Sequence, residues 1–374
     1  MPRCNNRSVL LVLLLLACLC GPSPRMLAQA ASQPAAPVSQ PETQQPLNID
    51  RDPIASPDPE EVGPPKNAPA TAPDTSSTIS RRSGKFTLER NVDEVVLNAT
   101  VLDDKQHLVA TLDKSDFKIF EDGVPQTITG FQHQDIPISL GLLVDNSGSM
   151  RSKRQAVNQS ALDLVHYSNQ DDESFVVNFS DEAYIDQDFT ANLNKLREGL
   201  SHIESKGGTA LYDAIMASAD YMSKNGKRSK QVLLVITDGE DNASSTTLEE
   251  TVRRIQDLQG PVVYCIGLLF DDDGGGRETH RAHRALQLLA DQTGGIAFFP
   301  KNLAQVDSIA EEVARDIREQ YTLGYHSTKP ASLGGFRQVH VEAKAKGYGK
   351  LIVRTRTGYY PNTKTKIAEV PGKG

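Results

Sequence analysis

The stretch Ile138-Ser-Leu-Gly-Leu-Leu-Val-Asp145-Asn-Ser147-Gly-Ser149-Met150 is an apolar run that ends in one carboxylate and two hydroxyls at alternate positions. A short apolar run closed by turn residues is typical of a buried strand. In open α/β sheets, ligands bind just outside the carboxyl ends of such strands. The stretch therefore predicts that Asp145, Ser147 and Ser149 lie in a surface loop at a ligand-binding edge. There, the carboxylate should support a ligand rather than the fold.

Two later segments have the same design. Gly207-Gly-Thr209 is a flexible glycine turn that places a hydroxyl at the start of a helical pattern. Lys230-Gln-Val-Leu-Leu-Val-Ile-Thr-Asp238-Gly is a second buried strand that ends in a carboxylate. We predict that Thr209 and Asp238 join the three residues above in one metal site. Hard oxygen donors of this kind suit Mg²⁺, with Mn²⁺ and Ca²⁺ as competitors, and need no His or Cys.

These five residues, in this order, resemble the metal-ion-dependent adhesion site of von Willebrand factor type A (VWA) domains. The family pattern is Asp-x-Ser-x-Ser, a distant Thr and a distant Asp, and the resemblance runs over residues 136–320. It implies a doubly wound, mostly parallel sheet. It also implies that Ser147, Ser149 and Thr209 contact the metal directly, while Asp145 and Asp238 act largely through waters. Few anionic ligands would then neutralise the ion, and a carboxylate from a partner protein could complete its coordination.

Other interpretations of these residues stay open. Serines also cap helices and Asp238 also suits a turn, so the pattern can arise without a metal. A bound metal could also only rigidify the loops. Mg²⁺ beside Asp145 further suits phosphoryl chemistry. Against an enzyme, the chain has no Gly-x4-Gly-Lys-Ser/Thr, Asn146 and Ser147 replace the second aspartate of Asp-x-Asp phosphotransferases, and no paired general base is evident. We expect a protein-binding or adhesion module, not an enzyme; a cell-envelope assembly component without metal-dependent capture is the alternative.

Residues 1–30 have the design of an export signal. Two arginines precede an apolar core too short to span a bilayer comfortably, and Ala28-Gln-Ala30 is a small-x-small cleavage pattern. Leu15-Leu-Ala-Cys18 resembles a bacterial lipoprotein box, which would leave an acylated Cys18 at the mature N-terminus. The sequence thus predicts a periplasmic or secreted protein. Membrane attachment through a lipid at Cys18 is the alternative.

Charge argues against nucleic acid as a partner. Cleavage after Ala30 removes three of the 40 basic residues, which leaves 37 against 48 acidic residues and a formal charge of −11. An acidic chain without a concentrated Lys/Arg stripe is a poor ligand for nucleic acid or for anionic lipid.

The chain around the predicted VWA domain has three further kinds of segment. Residues 31–83 hold eleven of the 21 prolines and no aromatic residue, so they predict a disordered tether. Residues 84–135 and 321–361 alternate with period two, which predicts antiparallel strands. Neither set is large enough for a stable core of its own, so we expect them to form one small β-sandwich into which residues 136–320 are inserted. Residues 362–374 are predicted to be a disordered tail.

Helical periodicity divides the inserted part. The predicted helices cover residues 152–168, 192–203, 210–225, 248–258, 279–293 and 303–320. They alternate with strands, as in a doubly wound sheet.

Three flanking motifs carry a second resemblance. They are Asp116-Phe-x-x-x-Glu121-Asp-Gly before the metal motif, and Tyr321-Thr-Leu-Gly-Tyr and Gly358-Tyr-Tyr after it. In this combination the chain is similar to the bacterial secreted VWFA-related family.

Overall fold

The structure is a computed structural model that describes residues 77–82, 85–90, 94–167, 169–202, 205–270 and 276–362. The predicted export signal, Cys18, nearly all of the predicted tether and nearly all of the predicted tail lie outside these residues. Within them, no helix combines the length and apolar character that crossing a bilayer requires.

Among the residues that the structure describes, seven strands precede the first α-helix. They are β1 (Ser77–Arg82), β2 (Lys85–Arg90), β3 (Glu94–Leu102), β4 (Phe117–Glu121), β5 (Val124–Gln126), β6 (Ile128–Gln132) and β7 (Ile138–Asp145). Helices and strands then alternate as α1 (Arg154–Tyr167), β8 (Glu173–Phe179), β9 (Ala183–Thr190), α2 (Leu193–Ser201), α3 (Leu211–Asn225), β10 (Lys230–Thr237), α4 (Leu248–Asp257), β11 (Val262–Gly267), α5 (Arg277–Thr293), β12 (Ala297–Phe298) and α6 (Val306–Arg318). The last strands are β13 (Tyr321–His326), β14 (Arg337–Ala343), β15 (Ile352–Arg354) and β16 (Gly358–Tyr359).

A six-stranded sheet forms the centre of the inserted part, with the strand order β12-β11-β10-β7-β8-β9. All neighbours are parallel except β8 and β9 at one edge. Helices α1, α2 and α6 pack on one face, and α3, α4 and α5 pack on the other. Every residue of β7 is buried because both faces of the sheet are covered. This burial explains why the sequence of β7, the strand that leads into the site, is mostly apolar.

The flanking strands form two four-stranded sheets, β15-β3-β13-β6 and β16-β14-β4-β5. Both sheets combine strands from before and after the insert, these strands alternate in the first sheet, and all pairs are antiparallel. One hydrophobic core joins the sheets, and within it the Phe117 and Tyr321 rings lie 5.0 Å apart between centroids. The predicted fold class, a doubly wound sheet inserted in a small antiparallel β-sandwich, is confirmed.

The N-terminal boundary differs from the prediction. The tether was expected to reach residue 83, but β1 pairs in antiparallel register with β2 from Ser77↔Arg90 to Arg82↔Lys85. The segment Thr78-Ile-Ser-Arg-Arg contains no proline, so its backbone donors are free to form a ladder. The proline-rich composition that suggested disorder ends at Pro73.

The three flanking motifs meet in the sandwich core around Glu121. Its Oε2 accepts hydrogen bonds from the hydroxyls of Tyr325 (2.7 Å) and Tyr359 (2.8 Å). Its Oε1 accepts from Ser327 (2.5 Å) and faces Arg337 Nη1 at 3.4 Å. Burial, reinforced by the bonds to Glu121, raises the pKa of both tyrosines. The motifs thus supply a buried polar cluster that ties the second sheet to β13 of the first.

A second buried polar cluster joins the insert to the sandwich. Tyr264 of β11 donates a 2.6 Å hydrogen bond to Asp316 Oδ2 at the end of α6, and Arg354 of β15 donates to Oδ1 at 2.8 Å. Gln320 Nε2 lies between the two parts and reaches both the Tyr264 hydroxyl (3.0 Å) and Thr100 Oγ1 of β3 (3.3 Å). These contacts fix the inserted sheet against the sandwich.

Candidate metal centre

Asp145 ends β7 and is completely buried, which corrects the expectation that its carboxylate lies in a surface loop. Its Oδ1 accepts a 2.7 Å hydrogen bond from the Ser147 amide, and its Oδ2 accepts a 2.6 Å bond from the Thr237 hydroxyl. Burial raises the pKa of the carboxyl, and the bonds from Thr237 and Ser147 oppose that rise. The carboxylate therefore stabilises the first loop and ties it to the end of β10.

Ser147, Ser149 and Asp238 form a chain of oxygen atoms at the same edge. The two serine hydroxyls are 3.1 Å apart, and Ser149 donates a 2.8 Å hydrogen bond to Asp238 Oδ1. Adjacent ligands of an octahedral ion with bonds near 2.1 Å are separated by about 3 Å, so these spacings fit a Mg²⁺ shell. Ser149 is exposed, and the edge is therefore open to a ligand from solution.

Thr209 comes from the glycine turn before α3 and lies beside the same loops. Gly148 N faces the Gly207 carbonyl at 3.4 Å, and the Thr209 amide donates to Asn242 Oδ1 at 2.9 Å. The Thr209 hydroxyl is 3.6 Å from where a Cβ on Gly239 would lie, so it is next to Asp238. The structure thus links four predicted ligands by hydrogen bonds and places Thr209 alongside them.

Gly207 shows why this turn requires glycine. Its φ is +81°, and a Cβ there would lie 2.2 Å from Asp181 Oδ2. Only a residue without a side chain tolerates both the left-handed backbone and this approach.

Two cations lie beside the two carboxylates. The Lys153 ammonium donates a hydrogen bond to Asp238 Oδ2 and lies 5.6 Å from the centroid of the Phe270 ring. Arg154 is 1% exposed and reaches the Asp145 carbonyl at 3.4 Å and Asn178 Oδ1 at 2.8 Å. Burial lowers the pKa of Arg154 to about 10, which leaves it charged at neutral pH. Each of the two carboxylates therefore has a cation nearby, and Arg154 also lies near Asp186.

Sequence reasoning did not identify Thr237, Lys153 or Asn242. Thr237 is a polar residue at the end of an otherwise apolar run and directly precedes Asp238, and this position was a signal in the sequence. Lys153 follows Ser149 by four residues in the same loop, and both side chains reach Asp238. Nothing local marks Asn242, because its partner is 33 residues away.

The donor set is poor in charge. Within the described ranges, no group of three or more His, Cys, Asp or Glu residues is placed to hold a metal ion. The candidate centre has only two carboxylates, and its other donors are neutral hydroxyls. It therefore fits a hard divalent ion that keeps some of its waters, and it does not fit a soft-metal site.

Residues 140–240 match the family model of the von Willebrand factor type A domain. The chain therefore contains a VWA domain, as the resemblance implied, and the matched span includes all five predicted ligands. The comparison with curated proteins gives no significant match.

Solved structures similar to this chain include two of von Willebrand factor type A proteins or domains and one of a mussel byssus protein. A von Willebrand factor type A protein from Catenulispora acidiphila has 13% identity and a TM-score of 0.43, over 72% of this chain and 74% of that chain. The vWF domain of the pilus tip protein Mfa5 from Porphyromonas gingivalis has 11% identity and a TM-score of 0.41, over 49% and 95%. Proximal thread matrix protein 1 from the mussel byssus was solved with a zinc-occupied metal-ion-dependent adhesion site (MIDAS) motif. It has 16% identity and a TM-score of 0.41, over 54% of this chain and 50% of that chain.

Proposed function

We propose that this protein is an exported, metal-dependent protein-binding or adhesion module that captures a carboxylate of a partner protein. The observation that carries the proposal is the chain of oxygens Ser147–Ser149–Asp238, whose 3.1 Å and 2.8 Å separations match adjacent positions of an octahedral shell. Mg²⁺ is the proposed ion, and Mn²⁺ or Ca²⁺ would compete for the same donors.

Ser147, Ser149 and Thr209 would hold the ion through their hydroxyls, with Asp238 beside them. Both oxygens of Asp145 already accept hydrogen bonds, from Ser147 N and Thr237 Oγ1. This supports a role for Asp145 through water rather than as a direct ligand. When bound, the ion supplies a positively charged coordination position. A partner's Asp or Glu carboxylate suits that position because the neutral hydroxyls leave most of the ion's charge uncompensated.

The same features support a binding protein over an enzyme. Neither of the site's two carboxylates is a free general base, since Asp145 is bonded at both oxygens and Asp238 is bonded to Ser149 and Lys153. Nucleic acid is not a proposed partner of this acidic chain, and membrane contact would come only through a lipid on Cys18. Periplasmic or secreted localisation follows from the proposed export signal.

Partner capture in the presence and absence of metal tests the function. The full chain, immobilised, would be incubated with envelope extract in Mg²⁺ and in EDTA, alongside Ser149→Ala and the control Ser308→Ala. Ser308 is an exposed helical serine whose hydroxyl bonds the Gln305 carbonyl, away from the site. We expect specific capture in Mg²⁺ by wild type and Ser308→Ala, and its loss in EDTA and in Ser149→Ala. Equal capture in EDTA would favour the alternative, an assembly component without metal-dependent ligand capture.

A further inference from the structure

We propose that Lys153 is a built-in competitor of the metal: its ammonium occupies Asp238 until a divalent ion displaces it. This inference rests on the proposed metal site and adds a residue that sets how tightly the site binds its ion.

The contact between Lys153 and Asp238 closes one side of the site. The ammonium bonds Asp238 Oδ2, while Ser149 bonds Oδ1, so both oxygens of the carboxylate are engaged. The Asp238 side chain has no exposed surface, whereas the Lys153 side chain keeps 20% of its own. An ion that recruits Asp238 must therefore take the place of an ammonium that is already there.

Charge explains why the Lys153 ammonium and a divalent metal ion exclude each other. Lys153 bonds Asp238, and Arg154 lies near both Asp145 and Asp186, so a divalent ion would bring two further positive charges next to cations that are already in place. Arg154 cannot yield, because it is buried and bonded to Asn178 and to the carbonyls of Asp145 and Leu200. Lys153 is the mobile one of the pair, with a flexible, partly exposed side chain. The Phe270 ring 5.6 Å from its ammonium offers a cation–π partner when Asp238 is given up.

This exchange has a consequence for affinity. Metal binding to wild type includes the loss of the Lys153–Asp238 pair, so removing the ammonium should tighten binding. The expected gain is about tenfold, the order set by one partly buried ion pair next to a divalent charge. Without metal, the same change should destabilise the fold, because the enclosed Asp238 carboxylate then lacks its cation.

Titration calorimetry with Mg²⁺ and with Mn²⁺ alone, on the full chain, tests the inference. Wild type is compared with Lys153→Met and with the control Arg151→Met. Arg151 lies in the same turn and donates to the Ser205 carbonyl at 2.9 Å, so its loss removes a nearby charge that bonds a carbonyl and, among the described residues, no carboxylate. We expect Lys153→Met to bind both ions about tenfold more tightly and Arg151→Met to change little. The melting temperature of Lys153→Met should be lower than that of wild type in EDTA and rise more on metal addition.

Each outcome decides a separate point. Equal or weaker metal affinity in Lys153→Met, with normal binding by wild type, overturns the competitor role and leaves the proposed metal site standing. An equal gain in Arg151→Met reduces the effect to general charge and also overturns it. No binding by any of the three proteins overturns the metal site together with the inference. If Lys153→Met does not fold, Lys153→Gln keeps a polar side chain and the same affinity criterion applies.

Discussion

Thr237 and Asp145 end two neighbouring parallel strands, and the Thr237 hydroxyl donates a 2.6 Å hydrogen bond to the Asp145 carboxylate. Both residues are fully buried, so the bond joins the two metal-site loops beneath the surface. The Asp145 carboxylate, which the sequence predicts to belong to the metal site, is therefore also part of the structural support of that site.

Replacing Asp145 should destabilise the fold even without metal. Asp145→Ala leaves the Thr237 hydroxyl and the Ser147 amide without their acceptor, and each unsatisfied buried donor costs about 1–3 kcal/mol. Thr237→Val keeps the shape but leaves Asp145 Oδ2 without its donor and Gly239 N without its acceptor, so we expect a loss of about 1–3 kcal/mol. Urea unfolding in EDTA measures both. An Asp145→Ala protein as stable as wild type would restore the purely metal-binding role.

Asp238→Asn should separate metal binding from stability. An amide can still accept the hydrogen bond from Ser149, but it carries no charge for a cation. We expect Mg²⁺ affinity to fall at least about tenfold, a loss on the order of one ligand charge. The melting temperature in EDTA should fall less than in Lys153→Met, because the Lys153 side chain is 20% exposed and its ammonium can turn to water, whereas the enclosed Asp238 carboxylate cannot. Asp220→Asn is the matched control, because Asp220 lies in α3 and pairs with Arg254 of α4 at the surface, and it should leave affinity unchanged. Unaltered Mg²⁺ binding by Asp238→Asn would remove Asp238 from the site.

The Glu121 cluster should be essential for the sandwich. Glu121→Gln leaves the Arg337 guanidinium, which is 1% exposed, without its counter-charge, and breaking a buried pair in this way costs about 3–5 kcal/mol. Tyr325→Phe removes one of several donors to Glu121 and should cost about 1 kcal/mol. Denaturant unfolding gives both values. Similar small losses for the two variants would show that Arg337 needs no counter-charge from Glu121.

Excised parts of the chain should differ in their ability to fold. Residues 135–320 contain the whole six-stranded sheet and its six helices, so they should give a dispersed proton NMR spectrum. Residues 94–132 alone lack β13, β14 and β15, the strands that pair with β3, β4 and β6, and should give the spectrum of an unfolded chain. Dispersed signals from residues 94–132 would show that the sandwich does not need its C-terminal strands.

Lys230 should make stability depend on alkaline pH. It is 4% exposed, its ammonium bonds the Ile317 carbonyl, and burial lowers its pKa to about 8. Between that value and the ordinary pKa near 10.5, the unfolded chain binds more protons than the folded one, so stability gains from this group as pH rises. Relative to Lys230→Met, wild type should gain up to about 3 kcal/mol across this window. Unfolding free energies of both proteins at several pH values test this, and a constant difference would place the pKa of Lys230 near its ordinary value.

Much of the fold follows from local pattern. The apolar runs of β7 and β10 have buried residues on both faces, and the six amphipathic segments lie close to α1 through α6, because period alone distinguishes such strands from helices. The candidate ligands could also be found in the sequence, since they lie at or shortly after the end of a strand or a glycine turn. The surface position assigned to Asp145 was wrong because a strand pattern does not show which loops cover its end.

The remaining features depend on pairs that are distant in sequence. Lys153 and Asp238 are 85 residues apart, and Tyr325 and Glu121 are 204 apart. No spacing rule links such positions, and buried polar partners are selected by the assembled fold. The sequence showed the three flanking motifs as a resemblance, whereas the structure gives their physical reason, a shared buried carboxylate.

The central claim, a divalent-ion site at the ends of β7 and β10, is tested most directly by titrating Mn²⁺ into the full chain and following water-proton relaxation. We expect one saturable site at millimolar or lower ion concentration. Mg²⁺ should displace the bound Mn²⁺, and Asp238→Asn and Ser149→Ala should each weaken binding. Relaxation indistinguishable from free Mn²⁺, or a site that persists unchanged in both variants, would contradict it.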